Sequence, residues 1–370
     1  MTTDVLVQGG GLLGLALVGE LERRGVAVRC VDWPQPGRAS TVAAGMLVPQ
    51  IEAQAPGAQF ELWRRAGQHY ADDLRRIDPS PEAAFGFRAC GALLPASTPS
   101  EQEALLRRFA WQLGAGLPIE LLDGEGVRQR VPELGPRLGG VWLPASGQVE
   151  PARLHARLTE IYQEKGLLEI YEKEPRIEVR EDGVWLDGYR RAERVVLAEG
   201  AWHRRVGGEA ATAQGPVRPV RGQLLELALS TPTRPAVVYG EGGYLVARGD
   251  GRFVIGSTSE EVGFDASTTE EARQQLLGRA VRLWPALAEA RLIRHTAGLR
   301  PGSADGLPLV GPLPSPLEAT AARARRFVLG GAFRNGILLA FELARLMANL
   351  LEGHPSDEQR AFFPDRLTGP

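Results

Sequence analysis

Val5-Leu6-Val7-Gln8-Gly9-Gly10-Gly11-Leu12-Leu13-Gly14, residues 5–14, decides how the rest of the chain is read. A short apolar run leads into Gly9, Gly11 and Gly14, which stand at the head of an apolar stretch over residues 12–21. That order predicts a strand, a tight turn and a helix. In a dinucleotide site the first glycine makes the turn, the second lets the backbone approach the pyrophosphate, and the third lets helix and strand pack closely. The helix N–H groups then face the anion. Residues 26–31 read as a second strand closed by Asp32. It lies about 20 residues beyond the fingerprint, where a carboxylate accepts hydrogen bonds from an adenosine ribose. An acid in this place opposes a 2′-phosphate, so NAD or FAD is favoured over NADP. A structural glycine turn with a surface aspartate is the alternative.

The chain has 370 residues, enough for two domains with real cores. Its hydrophobic fraction of 44% and charged fraction of 24% are those of a soluble globular protein. A formal net charge of −2 offers no electrostatic reason to expect nucleic acid or an anionic membrane as partner. Cys30 and Cys90 cannot form a disulfide scaffold, and His69, His155, His203, His295 and His354 are scattered, so neither a metal site nor a catalytic triad is expected. The first strand begins without a basic segment and cleavage site, which reads as no signal peptide and a cytoplasmic location. Residues 337–351 are apolar, but Glu342, Arg345 and the short length predict a globular helix, with no membrane span.

Helical spacing over residues 61–77 ends at the breaker run Asp78-Pro79-Ser80-Pro81. Strands are expected at 91–95 and 140–144, with a helix over 101–113, and Pro151 opens another helix to about residue 165. Strand-like runs at 168–171, 176–179 and 194–198 read as a return to the cofactor domain. From residue 217 the chain turns β-rich, with strands at 223–227, 244–247 and 252–255; Gly249-Asp250-Gly251 joins the last two as a hairpin. Thr268 with Glu271 predicts a capping box for the next helix. A strand over 291–296 leads into a glycine-rich segment, and a further strand is expected at 327–329. The simplest assembly is a discontinuous cofactor domain, 1–80, 151–215 and 296–370, with a substrate domain built from the inserts 81–150 and 216–295. A pocket at their interface is expected.

Arg300, in Gly298-Leu299-Arg300-Pro301-Gly302, is a guanidinium in a rigid setting suited to bidentate recognition of a carboxylate. Pairing with an acid of the protein is the competing reading. Phe333-Arg334-Asn335-Gly336 lies between a strand and a helix, so its amides form a helix N-terminus with roughly half a positive elementary charge. Against a flavin, that end can face the region where negative charge accumulates on reduction. Ala43-Ala44-Gly45-Met46 is a run of small residues that lets backbone pass close to a flat ring. Tyr244 can present a hydroxyl to a substrate.

Five segments together resemble the FAD-dependent amine oxidases of the D-amino-acid oxidase superfamily, and in particular its glycine-oxidase branch. They are residues 9–14, 43–47, 196–202, 298–308 and 333–339, and the likeness spans nearly the whole chain. The resemblance implies an α/β fold: a Rossmann-like FAD-binding domain with an inserted, antiparallel-sheet-based α+β substrate domain. It implies non-covalent FAD, with Leu12 and Leu13 against the pyrophosphate and Asp32 and Trp33 at the adenosine. Ala39, Ser40, Ala43, Ala44, Gly45 and Met46 would lie along the ribityl chain and ring. Arg176 would make a backbone contact to the adenine, and Ala332, Phe333, Arg334, Asn335, Gly336, Ile337 and Leu338 would cover the flavin's pyrimidine edge. Arg300 would hold the substrate carboxylate, assisted by Arg334, with Tyr244 and Met46 completing the pocket.

The implied reaction is oxidation of glycine or another small amino acid by O2 to the imine, then to glyoxylate and ammonia, with H2O2 released. A role in thiamine biosynthesis follows from the same likeness, with handover of the imine to a thiazole synthase and room for a homo-oligomer. A flavin-dependent D-amino-acid or N-methyl-amino-acid dehydrogenase and a non-catalytic flavin-binding subunit are the alternatives. The chain departs from its relatives at Glu199, Ser259, Thr296-Ala297 and Ala332.

Overall fold

In the computed structural model, which describes residues 3–53, 55–203, 217–240, 242–313 and 325–367, the strand Thr3–Gln8 is buried along Val5, Leu6, Val7 and Gln8. Burial on both faces is what a central parallel strand requires. It pairs in parallel with Val28–Asp32 on one side and with Tyr189–Leu197 on the other. Leu168–Ile170 extends one edge, and Arg326–Gly330 followed by antiparallel Leu309–Pro312 extends the other. The helices Leu12–Arg23 and Gly336–Leu351 pack on each other over this sheet through Leu15, Leu339 and Leu343. An antiparallel hairpin, Ile177–Arg180 and Gly183–Leu186, is added to the Tyr189–Leu197 strand.

A second sheet has the order Arg291–Ser303, Val217–Ala228, Arg252–Gly256, Gly243–Ala247, Ala236–Gly240, Ala92–Ala96, Gly139–Leu143, Glu120–Asp123. All its pairings are antiparallel except Ala236–Gly240 with Ala92–Ala96. Side chains alternate between its faces along each strand. Leu225, Leu245, Phe253 and Ile255 face the helix Glu270–Leu283, whose Leu276 and Leu283 join the same core. Leu224, Val237, Val246 and Val254 point the other way and pack with Ala44, Val48 and Ile51 of the first domain. Whatever else lies on that second face therefore looks toward the cofactor domain.

Two expectations need correction. The glycine-rich segment after residue 296 is itself strand: Arg291–Ser303 runs on past that boundary, with Ala297 opposite Gln223 and Ser303 opposite Val217. Residues 296–303 thus pair with the second sheet, a long-range partnership that local glycines and prolines disguise. The helix expected to be capped by Thr268 starts one residue later, with the Thr269 hydroxyl accepting from Ala272 N. No helix among the described residues is long and apolar enough to cross a membrane.

A Cβ at Gly14 would lie 2.0 Å from the Gly9 carbonyl oxygen, a backbone atom that cannot step aside. Gly14→Ala is expected to lower the melting temperature and abolish FAD retention. The control is Gly278→Ala, where a Cβ meets only an arginine tip at 3.5 Å; there the helix should hold or gain up to about 1 kcal/mol. Equal melting curves and equal visible absorbance for Gly14→Ala and the parent would refute the packing account.

Candidate active site

The first turn closes as the fingerprint demands. Gly9 has φ +111°, and a Cβ there would sit 2.5 Å from the Ala198 carbonyl oxygen. The helix that follows opens at Leu12, whose N–H donates to Ser40 Oγ at 2.8 Å. Gly9, Gly11, Leu12, Leu13, Ala39 and Ser40 line one end of a long cavity between the two domains. Asp32 stands just behind, its Oδ1 accepting from Gly10 N at 2.9 Å. Both carboxylate oxygens are also gripped by Arg38, at 2.7 and 2.9 Å, and the same guanidinium donates to the carbonyls of Gly10 and Trp33. The acid expected to meet the ribose is therefore oriented by an arginine six residues on.

Midway, Ala43, Ala44, Gly45 and Met46 form one wall. Gly45 has φ +75°, and a Cβ would come within 2.0 Å of the Val149 carbonyl oxygen, so no other residue fits this turn. Arg248, from the second sheet, fixes the wall from behind: it donates to Ala44 O at 2.7 Å, Val149 O at 3.0 Å and Gln148 Oε1 at 2.9 Å. Burial holds its pKa below the ordinary arginine value. Opposite, Ala332, Phe333, Arg334, Asn335, Gly336 and Ile337 line the cavity where the helix Gly336–Leu351 begins. A helix N-terminus there favours an electron-rich neighbour.

At the far end, Arg300, Tyr244, Ser257 and Gly222 come together from four neighbouring segments of the second sheet. Arg300 Nη2 donates to Ser257 Oγ at 2.7 Å and Nη1 to the Thr258 carbonyl at 3.3 Å. Burial lowers its pKa from the usual value, opposed by the nearby Tyr244; an arginine remains cationic nonetheless. Among the described residues no carboxylate forms an ion pair with it, although Arg334 lies 3.9 Å from Glu52. A partly buried cation without a counter-charge is a site for an anion.

Of the residues singled out in the sequence, Gly14, Asp32, Trp33 and Leu338 sit behind the cavity lining. Arg176 does not belong to it: its N–H donates to Asp187 Oδ1, its carbonyl accepts from Asp187 N, and its side chain pairs with Glu178. Those backbone groups close a hairpin with Asp187. Ser259 is exposed and does not line the pocket, whereas Glu199 does, with Oε2 at 3.0 Å from His203 Nδ1. Sequence reasoning gave no role to Arg38, Glu52, Tyr239, Arg248 or Gly222. Only Gly222 carried a local signal, as a glycine inside a strand pattern, which marks a close approach of something to the backbone.

The residues present fit FAD. A glycine cradle that any Cβ would fill, two helix N-termini that lie close together at Leu13 and Gly336, and a wall of small residues match a long molecule with a diphosphate and a flat ring.

Residues 4–350 match the model of the FAD dependent oxidoreductase family. The chain is 34% identical to a "Bifunctional protein ThiO/ThiG" of Synechocystis sp. over 99% of its own length and 54% of that protein's. It thus spans about half the length of the first curated relatives it matches. It is 31% identical to a glycine oxidase of Pseudomonas aeruginosa, covering 95% of this chain and 96% of that one. The crystal structure of glycine oxidase from Geobacillus kaustophilus superposes with a TM-score of 0.87 at 28% identity, over 98% of each chain.

Arg248→Met strands acceptors at Ala44, Val149 and Gln148. It is expected to cost about 1–3 kcal/mol for each one that water does not reach, read as a fall in the denaturant midpoint. An unshifted midpoint would show that Arg248 does not hold this wall.

Proposed function

The chain belongs to the FAD dependent oxidoreductase family, and from that premise we propose that it is an oxidase of small amino acids, with glycine as first substrate. The observation that carries the reading is Arg300, a partly buried guanidinium without a carboxylate partner among the described residues, in the same cavity as the glycine fingerprint. An α-amino acid supplies the missing carboxylate on a body small enough to lie between Arg300 and Met46.

FAD, when bound, accepts a hydride and is reoxidised by O2, releasing H2O2. The chain's own residues supply orientation. Arg300 offers its fork of N–H groups to both carboxylate oxygens, the arrangement that fixes a small acid in one plane. Tyr244 covers the bound substrate, and Arg334 adds positive potential at the mouth. The described cavity lining has no histidine or lysine to act as base, and none is needed. A substrate amine that enters neutral can push out the α-hydrogen as hydride with its lone pair, leaving an iminium. Water then adds to that carbon, and ammonia departs to give glyoxylate.

Relatives named as bifunctional ThiO/ThiG proteins support a second element, handover of the imine to a thiazole synthase for thiamine biosynthesis. A D-amino-acid or N-methyl-amino-acid oxidoreductase remains the competing substrate class, and peroxide measured with glycine, sarcosine, D-alanine and D-proline ranks them.

Arg300→Ala is expected to keep its flavin absorbance while losing about 2–5 kcal/mol in kcat/KM, as when one partner of a desolvated charge pair is removed. Unchanged kinetics in that variant would end the assignment.

A further inference from the structure

We infer that Gly222 is a positioning residue for substrate recognition: its missing side chain is the seat of the Arg300 guanidinium. The inference rests on the functional reading above and adds to it a residue that acts only through Arg300.

Arg300 is opposite Val220 across the pair formed by Arg291–Ser303 and Val217–Ala228, and Gly222 is the next residue on the same face. The side chain leans along the sheet and lies flat on the glycine. A Cβ at 222 would stand 2.1 Å from both Nη atoms and 2.2 Å from Cζ. Gly222 lies within the extended strand and is not among the positive-φ glycines, so backbone conformation does not require it. Glycine weakens a strand interior, and what this position does require is room for the guanidinium.

The rest of the seat is built to match. The same face carries a second instance, Tyr244 directly opposite Gly256, where a Cβ would come within 2.2 Å of the ring's Cζ and Oη. The residues after Gly256 are Ser257 and Thr258, whose hydroxyl and carbonyl take two of the five N–H donors of Arg300. Thr258 is itself tied to the same strand, its Oγ1 accepting from Gln223 N at 2.8 Å. Floor and side wall thus come from backbone and small groups, Tyr244 takes a further hydrogen bond, and the other donors are left for a carboxylate.

The atoms that a new Cβ would meet are the far end of a flexible side chain. Gly222→Ala should therefore displace the guanidinium and leave strand and cofactor site in place. A shift of about 1 Å in a group that positions a substrate costs on the order of 100-fold.

The test uses FAD-loaded parent protein, Gly222→Ala, Arg300→Met and the double variant. Each is titrated with glycolate and acetate by the change in the flavin spectrum, and assayed with glycine. The expected result is a Gly222→Ala protein with parental FAD content and melting temperature, weakened on the order of 100-fold in carboxylate affinity and in kcat/KM. In the Arg300→Met background the same substitution should then do nothing further. Parental carboxylate affinity in Gly222→Ala, an undiminished effect in the Arg300→Met background, or loss of fold or FAD would each overturn the inference. A parent protein that binds neither carboxylate would bring down the functional reading as well, whereas parent binding matched by the variant refutes Gly222 alone. Ser257→Ala, which removes one hydrogen bond and adds no bulk, gives an independent check: it should weaken carboxylate binding several-fold, and parental affinity there would contradict the seat.

Discussion

The Arg300 guanidinium is partly withdrawn from water, with the Ser257 hydroxyl, the Thr258 carbonyl and Tyr244 for partners, and the surrounding architecture follows from keeping it so. A buried charge without its counter-charge is costly, and an internal carboxylate would remove that cost by neutralising it. The chain does otherwise. It holds the cation with neutral dipoles in the cavity lining, so that the free energy of a carboxylate bound there, as proposed, would be spent on one orientation. That constraint explains why arginine, tyrosine and their two glycine counterparts all occupy one face of the second sheet.

The same face joins the domains. Leu224, Val237, Val246 and Val254 pack with Ala44, Val48 and Ile51, so the wall of small residues along the cavity rests on the sheet that carries Arg300. Arg248 crosses this contact to bind the Ala44 carbonyl, and Leu299 N donates to the Gly37 carbonyl, next to the arginine that grips Asp32. The wall of small residues and the strand that carries Arg300 are consequently joined by hydrogen bonds. Precision in such a site comes from rigid elements, and here those elements are strands.

Residues 5–14 disclosed the cofactor domain because a glycine turn between strand and helix is a local event, written in consecutive residues. Arg300 was visible as an unusual arginine, yet whether an internal acid neutralised it depended on loops far away in sequence. Arg248 was hidden by its own hairpin, since Gly249-Asp250-Gly251 draws attention to the turn and away from the residue before it. Arg38 sits next to the small-residue run, but nothing local says that it turns back to Asp32. Residues 297–303 read as a loop in sequence because Gly298, Pro301 and Gly302 look like one, and only pairing with residues 217–223 makes them a strand.

The most direct test is to mix the FAD-loaded protein with glycine in the absence of oxygen and follow the flavin's colour. If Arg300 presents a small amino acid to the ring, the yellow colour bleaches and one glyoxylate and one ammonia appear for each flavin reduced. A flavin that stays oxidised with glycine, and with every other small amino acid offered at saturating concentration, would contradict the account.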